Sequence, residues 1–466
     1  MSYKTTHPAL IFEGIYKLIF LLLIPLVRGF AATLEGGFYR WLRGAWADVA
    51  VLSVILTTAV LRWWLTRWAF DGGSISFRGG IFLYTDKRIA FDKLASVNLE
   101  EPWYYRPFSA VRVRFDTLAK TGRRADISLV LSKSEAQRIL SALCRESKEP
   151  RKISSPNLKN VVMISAFVSN FVAGAGLLFA FFARVGTLLE KDLVGDFRQV
   201  FSLDFGRIIT VVALIIAVGW VIAFCINLVS YTHLTLSRDE DTLVIRGGAL
   251  TRRTLLVKVD SIGYINLQQG LFTRLFGLYT VFCHTAGVGK KKGDLTALTP
   301  AGKNVEPYAN IKELFPEISR SEIALKPPLK SIFRFVADPL WLLVPTLLIA
   351  LLAEIFDLEI LLTLTFFVSI PATWWLLVRI ADLVTSGMGG CQDSLTLSYS
   401  TLFKLNTVII PRKKIVAVKF RQSPFQRLDK RCDIFVYSKG ERPRRHRIRN
   451  VEQKTAKKLL GMKKDG

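Results

Sequence analysis

Three times along the chain, a pair of apolar, membrane-length segments is followed by a basic stretch of short strand-like runs. A repeat of this size fixes the architecture before any local motif does, because each unit must bury its apolar face against a neighbour of the same kind. The first two units share one register. Arg78-Gly79-Gly80 and Arg246-Gly247-Gly248 lie 168 residues apart, as do Asn98-Leu99 and Asn266-Leu267, and Arg106 and Arg274. One offset serving three separated patches marks duplication of a fold.

A bilayer core about 30 Å thick takes about 20 apolar helical residues. Six stretches have that character: 9–32, 48–68, 161–185, 207–230, 335–354 and 358–381. The run from Ile208 to Ser230 carries no charged side chain. The first stretch holds Glu13, Lys17 and Arg28. Glu13 and Lys17 are four apart and suit a helix-face pair; a snorkelling N-terminal turn at the interface is the expected reading, ahead of a buried functional ion pair. Arg28 stands where the cleavage region of a signal peptide would be neutral, so the segment reads as an uncleaved helix. Asn170 and Trp220 are the notable side chains inside otherwise apolar spans.

Charge placement sets an orientation. Of the chain's net +27, the largest share lies in 386–466, with 20 Lys/Arg against 6 Asp/Glu. The loop 186–206 and the turn 354–359 are acidic. Loops rich in Lys and Arg stay in the cytoplasm, so both termini and all three basic modules are expected there, in a multi-pass protein of the cell (inner) membrane. Arg40 and Arg43 in the first hairpin loop run against this rule, partly offset by Glu35 and Asp48. Trp63, Trp64 and Trp68 beside Arg62 and Arg67, and Trp374 and Trp375 beside Arg379, are expected interfacial anchors. Five scattered cysteines without a CxxC pair fit free thiols in a reducing compartment, and four histidines far apart offer no zinc spacing.

The expected boundaries are a hairpin at 1–68, module 1 at 69–157, a hairpin at 158–231, module 2 at 232–330, a hairpin at 331–385 and the basic module 3 at 386–466. Within module 2, Thr232–Leu236 alternates polar and apolar, Thr242–Arg246 reads as a strand closed by Gly247-Gly248, and Leu278–Phe282 is strongly β-prone. Module 3 offers Ser394–Tyr399, Thr407–Pro411, Ile415–Val418 and Ile434–Tyr437. Strands this short, with turns every 8–12 residues, predict a small sandwich or partly open barrel. A closing helix is expected after Ser132-Lys133-Ser134-Glu135, a capping box, and again from Asn450 as cap to Gly461. In module 2 it shrinks to Ile311–Phe315 before Pro316.

The turn-plus-arginine motif recurs as Asn98-Leu99-Glu100-Glu101-Pro102-Trp103-Tyr104-Tyr105-Arg106, as Asn266-Leu267-Gln268-Gln269-Gly270-Leu271-Phe272-Thr273-Arg274-Leu275-Phe276-Gly277, and as Arg421-Gln422-Ser423-Pro424-Phe425-Gln426-Arg427. With these motifs fused to membrane hairpins, the chain resembles the bacterial pleckstrin-homology-like family (bPH2), in its larger three-module form. The first copy departs from the pattern by Glu100-Glu101, and the third lacks the glycine after the arginine. The resemblance implies six transmembrane helices alternating with three small β-rich PH-like domains, each with a C-terminal helix. It also implies a non-enzymatic membrane protein, often paired with a smaller single-module relative, and a role in envelope homeostasis or tolerance of membrane-active peptides.

Arg106, Arg274 and Arg427 suit either an acidic ligand or a turn tied to backbone carbonyls by the guanidinium fork. Arg442, Arg444, Arg445, Arg447 and Arg449 form the densest charge and suit anionic phospholipid, or a solvated tail; nucleic acid is disfavoured. Gly79-Gly80 and Gly247-Gly248 lack a phosphate-loop context and read as turns. Lys290-Lys291-Lys292 reads as a loop tip. No catalytic, metal or cofactor constellation stands out. The expected function is a scaffold that binds a partner protein or anionic lipid at the membrane; the alternative is a transporter or export component.

Overall fold

A computed structural model describes residues 3–15, 38–117, 125–143, 151–154, 158–168, 205–239, 241–285, 297–303, 311–312, 314–316, 318, 320–439 and 444–461. The spans expected at 16–32 and 169–185, with Lys17, Arg28 and Asn170, lie outside the described residues, as do Lys290-Lys291-Lys292 and Arg442.

Helices α1 (Phe38–Leu65), α3 (Leu158–Val168), α4 (Phe205–Tyr231), α6 (Ile332–Ile355) and α7 (Glu359–Thr385) carry the apolar sequence. Among the described residues, three windows are long and apolar enough to cross a membrane, Leu214–Tyr231, Leu329–Ile355 and Leu364–Thr385; Ala50–Leu65 is apolar but shorter. Pro345 and Pro371 interrupt neither α6 nor α7. In the second hairpin the Trp220 indole donates to the Ala166 carbonyl at 3.2 Å.

Every module is built from two three-stranded antiparallel ribbons. Module 1 has β2 (Arg67–Phe70), β3 (Ser74–Gly79) and β4 (Thr85–Ala90), then β5 (Leu94–Pro102), β6 (Ala110–Thr117) and β7 (Ile127–Ser132), closed by α2 (Lys133–Leu143). Module 2 has β9 (Thr235–Arg238), β10 (Thr242–Gly247) and β11 (Thr251–Lys258), then β12 (Ile262–Gln269), the short α5 (Leu271–Leu275), β13 (Leu278–Thr285) and β14 (Ala297–Lys303). Module 3 has β15 (Gly387–Gly390), β16 (Ser394–Thr401) and β17 (Lys404–Pro411), then β18 (Ile415–Arg421), α8 (Pro424–Leu428), β19 (Arg431–Ser438) and β20 (Arg444–Glu452), closed by α9 (Gln453–Leu459). Short strands β1 (Lys4–Thr5) and β8 (Arg151–Ser154) precede their hairpins in sequence yet pair with β2 and β9 beyond them. The repeat therefore starts before each hairpin, and residues 151–154 add to the sheet of module 2, not module 1.

The modules are not separate sandwiches. The sheet orders are β1-β2-β3-β4, β7-β6-β5-β11-β10-β9-β8, β14-β13-β12-β17-β16-β15 and β18-β19-β20. Thus the second ribbon of each module continues into the first ribbon of the next. Asn98 stands opposite Leu255 at the first junction, and Asn266 opposite Val408 at the second. The first strands differ by 168 residues and the second by 153, and Val97–Leu256 maps onto Ile265–Ile409 by the same two steps. Both junctions therefore have one register. Since side chains alternate with period two, that register decides which core each residue enters. Val244 and Leu256 of module 2 pack into the module 1 core; Ile409 of module 3 enters that of module 2; Tyr264 of module 2 enters that of module 3.

Local details correct several expectations. Helix α1 ends at Leu65, and Trp68 lies on β2, 4% exposed in the module 1 core, so it is no interfacial anchor. Alternation on a strand that starts directly after a helix mimics the helix's own apolar run. The strand expected at Thr232–Leu236 starts later, at Thr235, because α4 runs on to Tyr231. The capping box at Ser132 forms, with the Glu135 N–H donating to Ser132 Oγ at 3.3 Å and the Ser132 N–H to Glu135 Oε2 at 3.4 Å. Asn450 is not a helix cap: β20 continues to Glu452, and Asn450 is buried in the left-handed region at φ 49°. Gly80 and Gly248 close the β3–β4 and β10–β11 hairpins at φ 136° and 94°; a Cβ on Gly248 would lie 2.2 Å from the Thr251 carbonyl oxygen.

Candidate interaction surfaces

The three recurrent arginines occupy one place in the repeat and meet three different surroundings. Arg106 follows β5 and reaches across the first junction. Its Nη2 donates to the carbonyls of Ala249 and Leu250, at 2.5 and 3.1 Å, in the β10–β11 turn of the next module. The guanidinium fork thus ties together two modules rather than its own turn. Arg274, on α5, lines a cavity of about 520 Å³ at the second junction. Arg427, on α8, is exposed.

Lysines repeat the clamp at both junctions. Lys258 donates to the carbonyls of Phe91 (2.8 Å) and Asp92 (3.2 Å), and Lys414 to the carbonyl of Asp260 (2.5 Å). At the second junction, Asn266 and Gln268 both donate to Asn406 Oδ1, at 3.0 and 3.1 Å, and Lys404 donates to Gln268 Oε1 at 3.0 Å. Gly263 lies against module 3: a Cβ there would sit 2.0 Å from the Lys439 carbonyl oxygen.

Glu13 pairs with residues far along the sequence. Its carboxylate meets Arg112 at 2.8 Å and accepts from the Tyr105 hydroxyl at 3.2 Å. Arg112 also faces Glu100 at 3.5 Å, and Arg114 meets Glu100 at 2.7 Å. Burial, with the Glu13 carboxylate alongside, holds the Tyr105 phenol above its ordinary range. The N-terminal segment is thereby fastened to module 1, where Ala9 and Leu10 pack with Tyr105. Trp63 joins this fastening, its indole donating to the Thr6 carbonyl at 2.8 Å. Trp64 remains 59% exposed at the end of α1, and Trp374 and Trp375 are half-buried on α7.

Different tertiary neighbours divide the basic run along β20. Arg445 is exposed and lies over the Phe435 ring at 5.3 Å. Arg447 pairs with Asp433 at 2.7 Å. Arg449 is buried against the third hairpin, meeting Asp338 of α6 at 2.7 Å and the Arg334 carbonyl at 3.1 Å. Arg379 of α7 continues this network to Asp382 (3.4 Å), Asp338 (3.8 Å) and Ser400 Oγ (2.8 Å). Asn450 adds a bond to Ser331 Oγ at 2.5 Å. The sequence run therefore does not present one continuous cationic face. Arg444 lies on β20 opposite Ser438, and His446, two residues on, is buried between Tyr399 Oη (2.8 Å) and Ser438 Oγ (2.9 Å).

The cavity at the second junction was not legible as a cluster. Arg274, Arg320 and Lys326 line it with Glu322, Tyr279 and Thr385, the last residue of α7. Three cations against one carboxylate at the end of an apolar helix form a place where a phosphate group would be welcome. Only Arg274 came from a motif; Arg320 and Lys326 are isolated in a linker without a pattern. Among the described residues no group of three or more His, Cys, Asp and Glu side chains could hold a metal ion.

Two-ribbon modules, the first two with a first ribbon completed by a strand from before a helical hairpin and the third with a bridge from Leu325 to Met388, define a class of small β-rich domains carried on apolar helix pairs. The family model described as "Bacterial PH domain" matches residues 19–147, 175–313 and 342–463, and the chain belongs to that family. It is 22% identical over 335 residues to the UPF0699 transmembrane protein YdbT of Bacillus subtilis (strain 168), covering 65% of this chain and 67% of that relative. No solved structure matches.

Proposed function

We propose that the chain is a non-enzymatic, multi-pass membrane scaffold. Six helices carry three PH-like modules on the cytoplasmic side, with both termini there, and the array binds anionic phospholipid or a partner protein. A smaller single-module PH-like membrane protein is the partner this reading favours, with a role in envelope homeostasis or tolerance of membrane-active peptides. The observation that carries it is the sharing of sheets: modules fused in one register and bolted to a helix pair by Arg449, Arg379, Asp338 and Asp382 make a stiff platform rather than three tethered domains. The cavity around Arg274 supports the lipid part, because clustered cations near a membrane surface attract anionic headgroups by about 1 kcal/mol each.

The test is native mass spectrometry of the full chain purified in mild detergent, followed by reconstitution into anionic or neutral vesicles. The expected result is retained anionic lipid or a stoichiometric protein, with lipid retention reduced in Arg274→Gln. A bare protein indifferent to vesicle charge would refute the reading.

A further inference from the structure

Among the described residues, the register shared by both junctions leaves two matching edges unpaired at the ends of the array. At one end is β4, the counterpart of β11 and β17; at the other is β18, the counterpart of β5 and β12. The contrast along β18 is sharp. Its counterparts are buried almost throughout, whereas Val416, Ala417, Lys419 and Arg421 are exposed. Arg427 stands beyond this edge, at the place from which Arg106 grips the hairpin of the following module.

We infer that β18 is a docking edge for the first ribbon of a further PH-like module on a separate chain, paired antiparallel in the register of the two internal junctions, with Arg427 binding carbonyls of its hairpin turn. This deepens the scaffold reading and rests on it. Continuity is the first argument: the same edge is used twice within the chain, and its main-chain donors and acceptors are the same in the third copy. A bulge does not disqualify it, since β5 and β12 carry the same irregularity at the same place and are paired.

Charge selects the occupant. Glu100 faces Arg253 at the first junction, and Gln268 faces Asn406 at the second, so each cross-strand pair is complementary. The corresponding residue of β18 is Arg421, and two residues before it stands Lys419. A complementary strand bears a carboxylate opposite Arg421 and no cation opposite Lys419. The chain's own β4 fits badly: the same register would set Thr85 against Arg421 and Lys87 against Lys419, and like charges directly opposite destabilise a pair. A second copy of this chain is therefore disfavoured as the occupant.

The experiment places a photo-crosslinking amino acid at Ala417 of the full-length protein in its native membranes, with Lys457 on α9 as an exposed control position, and sequences the crosslinked peptides. The expected product joins position 417 to the third strand of a PH-like module with Asp or Glu opposite Arg421. Arg421→Glu should cut that product about tenfold, and exchanging the partner carboxylate for arginine should restore it. Crosslinking at 417 no greater than at 457 would mean a solvated edge guarded by Lys419, and would overturn the inference. A product joining 417 to residues 85–90 would overturn it in favour of self-assembly. If a protein still co-purifies with the Arg421→Glu chain, the scaffold reading survives and only the edge assignment fails.

Discussion

Replacing Glu100 by alanine tests whether the modules are one folding body. Glu100 is 6% exposed, and its carboxylate is the only acid within ion-pair distance of Arg114, at 2.7 Å, among the described residues. Arg112 would keep Glu13 at 2.8 Å; Arg114, itself 8% exposed, would be left without an acid. Removing one member of a buried pair typically costs about 3–5 kcal/mol, chiefly through the charge left behind. That corresponds to about 10²- to 10⁴-fold faster amide exchange where exchange follows local opening. Global melting is unsuitable for a chain of several coupled units, so the assay is peptide-resolved hydrogen exchange of the purified protein. Faster exchange should appear in β6 and equally in β11, because Glu100 lies opposite Arg253 in the shared sheet. Acceleration confined to module 1 would refute the reasoning that the first junction is cooperative. A change smaller than about threefold would show that water already solvates Arg114.

Gly263→Ala should loosen the second junction by about 1–3 kcal/mol, since overpacking forces backbone shifts and the new Cβ would sit 2.0 Å from the Lys439 oxygen; exchange in β12 and β17 reads this out, with Ala95→Gly as the matched change at the first junction. Burial pushes the thiols of Cys283 up to about 12 and Cys432 up to about 11, so both should resist maleimide at pH 8 while half-buried Cys391 reacts, and labelling of the former without denaturant would contradict their packing. Burial works to raise the Asp433 carboxyl, but bonds from Arg447 (2.7 Å), the Asn450 N–H (3.0 Å) and Gln426 (2.9 Å) outweigh it and hold it below the ordinary carboxylate range. A depressed native value stabilises above the unfolded value, about 3.9, and that contribution disappears as pH falls through the native one. Asp433→Asn should therefore open β19 and β20 at neutral pH and flatten their acid dependence below about pH 4, as followed by exchange or tryptophan emission.

How far the fold could be read varies with the range of the interaction. Strands β10, β13, β16, β17 and β19 and the Ser132 capping box follow from alternation and local chemistry, because those signals act within a few residues. Trp68 misled because an aromatic beside arginine after an apolar helix looks the same whether it meets lipid or a core. Arg445, Arg447 and Arg449 share one parity on β20 and read as one patch; their tertiary neighbours, a ring face, Asp433 and Asp338, tell them apart, and no local pattern announces those.

The sequence by itself determined that the chain is a repeat, that it carries long apolar segments, that it resembles a known family and that its charge is concentrated in the third module. These are properties of composition and of one 168-residue offset, and they survive without knowing any contact. Only the tertiary structure decided that the second ribbons of modules 1 and 2 are each completed by the next module, that Arg106 grips the Ala249–Leu250 turn, and that Arg274, Arg320 and Lys326 share a cavity. The physical reason is that pairing between strands more than a hundred residues apart is set by which edge is left open once each local ribbon has formed, and an open edge leaves no mark on the pattern of either strand.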